Sequence, residues 1–253
     1  MTSRYEVKMN NISLASIDSS ILVLDIQPGQ AAPQYKSFRI ANMNGAIVRE
    51  PYYEKSTVNV MFEIHKYNIA DRMEVCQKVQ SWANGGTLTT NDREGQQLNV
   101  VCEAFPVVTA KNWTEPLTIS FAGYNPPFWE DATATTQIVA SSDESVSAAV
   151  PGNIAETLVS ATVTASESIS TMTFNVGEKT IILGGLELST GDIVVLTYNN
   201  GILSITSGFN SLLANVDPSS DDNLTAKCGE NVTFDFTADG EASCEYSYRG
   251  CWL

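Results

Sequence analysis

Apolar and polar positions alternate over Thr57–Lys66, with Val58, Val60, Phe62 and Ile64 on one side and Asn59, Met61, Glu63 and His65 on the other. A period of two puts successive side chains on opposite faces, so this stretch is expected to be a strand with one buried face. The pattern then changes period. Ile69, Met73, Cys76, Val79 and Trp82 recur at helical spacing and should lay one apolar stripe on the sheet. Asn68 is the expected cap of that helix, with Asp71 completing a capping-box-like start, and Asn84-Gly85-Gly86 its end. Before it, Ser13–Asp25 holds a short strand, Pro28-Gly29 marks a turn, and Asn44-Gly45 is a candidate hairpin turn. After it, Thr87–Thr90 and Leu98–Ala104 read as a hairpin around Asp92-Arg93-Glu94-Gly95.

The run Trp113–Trp129 (WTEPLTISFAGYNPPFW) combines a strand with a breaker. Leu117, Ile119 and Phe121 share one face, and Thr118 and Ser120 the other. Pro126 and Pro127 cannot donate to a ladder, so the strand is expected to end in a stiff, extended segment that delivers Phe128 and Trp129 to a fixed place. Residues 132–157, rich in Ala, Ser and Thr, are expected to be a linker or a loose first strand. Beyond them the pattern is almost wholly β. Strands are expected at Leu158–Ala165, Thr171–Val176, Thr180–Leu183, Ile193–Tyr198, Ile202–Thr206, Asn231–Thr237 and Ser243–Tyr248, with Asn200-Gly201 as a hairpin turn. Short strands at this spacing point to a sandwich or jelly roll.

Composition moves the picture toward two domains. The 253 residues suffice for one large or two average domains, with 43% hydrophobic and 17% charged residues. The net charge of -15 is uneven: residues 1–131 hold 11 Lys+Arg against 14 Asp+Glu, and residues 132–253 hold 3 against 15. The break from -3 to -12 falls just after Trp129, so domains are expected at 1–131 and 132–253. An acidic chain repels phosphate, which argues against tight binding to nucleic acid or an anionic membrane. No run approaches the ~20 apolar residues of a membrane helix, and the start lacks a signal-peptide core, so maturation in a cytoplasm is expected. Cys76, Cys102, Cys228, Cys244 and Cys251 include no CxxC pair; Cys244 and Cys251 can meet across a turn, but all five read as small buried hydrophobes.

Catalytic signals are sparse. The only histidine, His65, lies on the polar face of an expected strand, where it serves neither a Ser–His nor a Cys–His pair. No phosphate-binding glycine loop, dinucleotide fingerprint or HExxH motif occurs, and no pair of acids is singled out for glycoside hydrolysis. Asp217–Asp222 (DPSSDD) is the densest acidic turn, a candidate for Ca²⁺ or simply a solvated turn. No enzyme and no cofactor is expected.

The strand, Asn-Pro and paired aromatics of Trp113–Trp129 resemble the end of the N-terminal domain of the distal tail protein family of long-tailed, siphovirus-type bacteriophages. A second block resembles the family's C-terminus: Leu212-Leu213, then DPSSDDNL, then Cys228–Phe234, then a last strand carrying Tyr246, Tyr248, Arg249 and Trp252. The family motif thus comprises Trp113, Asn125, Pro126, Pro127, Phe128, Trp129 and Trp252.

The resemblance implies a mainly β protein. Its N-terminal part would be a tail-tube-like β-sandwich with one flanking helix, and its C-terminal part a galectin-like or jelly-roll sandwich. It further implies a virion tail-tip component: a homo-hexameric ring joining tail tube protein to the tail hub, with DNA passing through the lumen without specific binding. The second domain would project outward toward receptor-binding or baseplate proteins, and Asn125–Trp129 would be the hinge post between the two. The alternative is a carbohydrate-binding module reading bacterial surface glycan, with Tyr198, Tyr246, Tyr248 and Trp252 as candidate aromatic platforms.

Overall fold

The computed structural model describes residues 5–38, 47–48, 52–107, 116–142, 144–154, 156–199 and 201–253. Trp113, the Asn44-Gly45 turn and Asn200 lie outside the described residues. The chain divides into two compact units, Met1–Trp129 with Leu253, and Glu130–Trp252.

The first unit runs β1 (Val7–Met9), β2 (Ile12–Ser13), β3 (Ile21–Pro28), β4 (Pro33–Gln34), β5 (Ser37–Phe38), β6 (Ile47–Val48), β7 (Tyr52–Tyr53) and β8 (Ser56–Ile64). It continues with α1 (Ile69–Trp82), β9 (Gly86–Thr90), β10 (Gln96–Ala104) and β11 (Leu117–Gly123). Its main sheet has the order β2-β1-β9-β10-β11-β8-β3. One strand serves two arms of that sheet. Leu98–Val100 of β10 pair with β9, and Val101–Ala104 pair with β11 across a register shift between Cys102 and Ala104. A shift of this kind redirects a strand without ending it. Val58, Val60, Phe62 and Ile64 of β8 are all buried, as their alternation requires.

Asn68 caps α1, its side-chain oxygen accepting from the Ala70 amide at 3.0 Å. The buried row differs from the expected stripe. It passes through Arg72, Val75, Cys76 and Val79, while Ile69 and Met73 are exposed. A one-residue step is a rotation of about 100°, so the two rows share Cys76 and Val79 and diverge in the first turns. Arg72 can hold a buried position because its stem is aliphatic. At the other end, the Trp82 ring meets Phe121 edge-on at 6.1 Å, and its indole N–H donates to the Ile12 carbonyl at 2.7 Å.

β12 (Trp129–Asp131) carries the chain from one unit to the next. The second unit contains β13 (Thr135–Val139), β14 (Glu144–Ala149), β15 (Glu156–Leu158), β16 (Ser160–Ala165), β17 (Met172–Val176), β18 (Lys179–Leu183) and β19 (Ile193–Asn199). It ends with β20 (Ile202–Ser207), β21 (Asn210–Ser211), β22 (Thr225–Lys227), β23 (Asn231–Ala238), β24 (Ala242–Tyr248) and β25 (Cys251–Trp252). A six-stranded sheet, β13-β24-β16-β19-β20-β21, and a four-stranded sheet, β14-β23-β17-β18, supply one core between them. The protein is therefore mainly β in both units.

Residues 132–157 are not a linker. They hold β13 and β14, an edge strand of each sheet. An edge strand has one neighbour and an open outer face, so few large apolar residues suffice; Val139 is buried, and Val146 and Ala148 pack partly against the core. Within that core Phe234 stacks on Tyr248 at 5.3 Å and 7°, and Phe174 meets Phe236 at 5.6 Å. Tyr246 approaches Phe234 at 5.5 Å and donates its hydroxyl to the Asp235 carbonyl at 2.6 Å.

Truncating Phe234 removes a fully buried ring that touches two others. Phe234→Ala is expected to lower unfolding free energy by about 3–5 kcal/mol, whereas Tyr246→Phe, which strands a carbonyl, should cost about 1–3 kcal/mol. Urea unfolding followed by circular dichroism checks both values.

Candidate functional site

The proline-aromatic motif is built at the end of β11. The Asn125–Pro126 peptide is cis, and the chain bends at Asn125, Pro126 and Phe128 instead of running on as a straight extended rod. Proline has no amide to extend the ladder, which is why the strand stops at Gly123. Pro127 and Phe128 are half-buried, and the Phe128 ring meets Tyr53 edge-on at 4.9 Å. Trp129 is fully buried, with the Arg93 guanidinium 5.1 Å from its ring centre. Beside the motif, Glu103 receives the Tyr124 hydroxyl and the Lys55 ammonium, the latter at 2.5 Å. Those two donors, Lys55 foremost, hold the Glu103 carboxyl below its usual range. Phe128 and Trp129 thus have fixed partners within the first unit.

The last motif residue, Trp252, belongs to the second unit and leads to a residue the sequence reading did not pick out. Its indole N–H donates to Asp131 Oδ1 at 2.8 Å. The Gly250 amide donates to Asp131 Oδ2 at 3.2 Å, the Asp131 amide to the Gly250 carbonyl at 2.9 Å, and Arg249 to the Asp131 carbonyl at 2.6 Å. Asp131 is therefore the post that holds the turn Arg249–Trp252. Gly250 fits there because a Cβ would lie 2.4 Å from Asp131 Oδ2. The only signal in the sequence was the adjacency of Asp131 to the motif.

The remaining candidates occupy structural roles. Tyr246 and Tyr248 are buried, and the Tyr198 hydroxyl accepts from the Leu224 amide at 2.6 Å, so these three do not form an open platform. His65 lies beyond the end of β8, 3.3 Å from Glu63 and 56% exposed, along a cavity of about 290 Å³ lined by Ile64, Lys66 and Tyr67. Cys244 is core, its thiol pushed up to about 12 by burial.

The acidic turn runs along the free side of β18. Asp221 Oδ2 accepts from the Thr180 amide at 2.9 Å, and Ser220 Oγ accepts from the Ile182 amide at 3.0 Å. The Asp217 and Asp221 amides donate to the carbonyls of Ile182 and Thr180, and Asp217 Oδ1 accepts from Ser219. The carboxylates of Asp217 and Asp221 are thus committed to the chain's own donors, and among the described residues no acidic or sulfur cluster is arranged to hold a metal ion. Nor is any helix there long and apolar enough to cross a membrane.

The hydrogen bonds around Asp131 pin the C-terminal turn to the start of the second unit. No family model matches the sequence, and no curated relative does. Solved structures do match. The Dit protein of phage SPP1, called a paradigm of the hub adsorption apparatus in phages infecting Gram-positive bacteria, superposes with a TM-score of 0.72 at 12% identity, covering 97% of this chain and 98% of that one. The chain has the fold of a distal tail protein. A chain of the phage P2 baseplate in its activated conformation with Ca also superposes, with a TM-score of 0.52 at 7% identity and cover of 99% and 98%. In this distal-tail fold both units are matched, not one alone.

Asp239 offers a test of the electrostatics. It accepts from the Ser170 hydroxyl and from the Ser170 and Thr171 amides at 2.9 and 3.1 Å, which hold its carboxyl down at about 2 against an ordinary 3.8. With the folded value below the unfolded one, its contribution is complete above the ordinary value and is lost as pH falls from 3.8 toward about 2. Asp239→Asn should be less stable than the wild type at neutral pH. The gap should close over that acid window in urea midpoints measured across pH.

Proposed function

We propose that the protein is a non-catalytic structural component of a phage tail tip, whose copies form a hexameric ring that joins the tail tube to the hub. One observation carries this reading: the backbone matches the SPP1 hub adsorption protein over nearly the full length of both chains. In this reading residues 1–131 form the ring, and residues 132–253 face outward and hold receptor-binding or baseplate proteins. The charge distribution supports the division of labour. The first part, at -3, lets copies approach one another, and the second, at -12, keeps outer units apart. A lumen that is not basic would release no counterions from DNA and would let it slide.

A glycan-binding role has weaker support, because Tyr246 and Tyr248 are core residues and Tyr198 and Trp252 spend their polar atoms inside the unit. The tail-tip reading also makes Asn125–Trp129 a post that ends the ring-forming unit.

Negative-stain imaging of the purified protein is expected to show six-fold rings. A monodisperse monomer at high concentration, with and without tube and hub partners, would overturn the ring. Fragments 1–129 and 130–253, which keep Asp131 with the turn it holds, are each expected to unfold cooperatively when expressed separately; two unfolded fragments would sink the two-domain reading.

A further inference from the structure

Two of the five cysteines meet in a place the ring hypothesis does not use. Val150–Asn153 forms a short bridge between two segments of the second unit. On one side Val150 exchanges hydrogen bonds with Gly229 and Glu230, at 2.8 and 3.0 Å. On the other, Gly152 lies in a parallel bridge with Cys251, and the Asn153 amide donates to the Cys251 carbonyl at 3.0 Å. Cys228 and Cys251 therefore flank Gly152. A Cβ there would lie 2.4 Å from the Cys251 carbonyl oxygen and 3.0 Å from Cys228 Cβ, and φ is +123°, so glycine leaves the space that the two side chains share.

Within that space the Cys228 side chain packs beside Cys251, whose thiol also donates to the Arg249 carbonyl at 3.9 Å. Their exposure differs. Cys251 is buried, whereas Cys228 is half-buried.

We propose that Cys228 and Cys251 are a vicinal redox pair that closes to a disulfide when the protein meets a small-molecule disulfide, stapling the C-terminal strand β25 to the Cys228 segment. Cys228 attacks as the thiolate. One S–S bond forms to it and the oxidant's bond breaks, releasing one small thiol. The Cys251 thiol then loses its proton, attacks the Cys228 sulfur and expels the second small thiol. Two protein thiols are oxidised and one disulfide is reduced to two thiols, so atoms and electrons balance. The direction of attack follows from the pair itself. The neighbouring Cys251 side chain draws the Cys228 thiol down, while the Cys228 side chain and burial push the Cys251 thiol up. Cross-linking the end of the chain to a segment some twenty residues earlier restricts the unfolded ensemble.

The test uses the intact chain and oxidised glutathione, followed by alkylation without reduction and peptide mass spectrometry. The wild type should lose two alkylatable thiols and yield a linked peptide pair containing Cys228 and Cys251. Cys251→Ser should accumulate a stable glutathione adduct at Cys228, because no resolving thiol remains. Cys228→Ser should form neither bridge nor adduct at Cys251. Persistence of both thiols in the wild type, a lasting adduct at Cys228 without closure, or a bridge between Cys244 and Cys251 would overturn the proposal. The readout is thiol chemistry, so it is independent of whether rings form.

Discussion

The second unit depends on a contact between two strands that are neighbours in sequence but members of different sheets. β23 belongs to the four-stranded sheet and β24 to the six-stranded one, so the chain must cross the core thickness, about 10 Å, in the short connection between them. Phe234 and Phe236 from one side, and Tyr246 and Tyr248 from the other, fill that thickness, joined by Phe174 of β17. The rings fix the spacing of the sheets, and the Tyr246 hydroxyl, seated on the Asp235 carbonyl, fixes their register. The crossing itself is held from both flanks. Asp239 gathers the Ser170–Thr171 donors, and Ser142 donates to the Gly240 carbonyl at 2.7 Å. Because Ser142 lies between β13 and β14, which make the same sheet-to-sheet crossing, the two crossings brace each other.

Much of this was legible in the chain. Period-two alternation located β8, β11, β23 and β24, and short apolar runs bounded by turn residues located β10, β16, β17, β19 and β20. The Asn68 cap was readable because its chemistry is local. What local pattern could not supply was context. β13 and β14 are edge strands, and edge status is a property of the assembled sheet. The helix stripe was misplaced because Ile69 and Met73 are apolar in composition yet unburied in fact. The Asn10-Asn11 turn between β1 and β2 was overlooked. Both residues have positive φ, and the Asn10 side chain accepts from the Thr87 amide at 2.9 Å, a partner 77 positions away. Asp131 escaped for the same reason. Its meaning lies in residues at the far end of the chain.

A 12% identity with a TM-score of 0.72 is understandable in these terms. Packing asks for apolar volume at alternating positions and for turns that close at the right length, and many sequences satisfy both. Specific side chains are demanded only where polar groups must meet, as at Asp131 and Asp239.

The acidic turn along β18 has a consequence for association. A terminal strand of a sheet normally presents a row of unpaired amides and carbonyls, a template on which another chain can extend the sheet. Here Asp221 and Ser220 answer the amides of Thr180 and Ile182 with side-chain oxygens, and the turn's own amides answer the carbonyls. The four-stranded sheet is thereby finished on that side by a segment that cannot itself be extended in the same way. Units crowded at high local concentration can then touch through side-chain surfaces without any of them becoming the seed of a growing sheet.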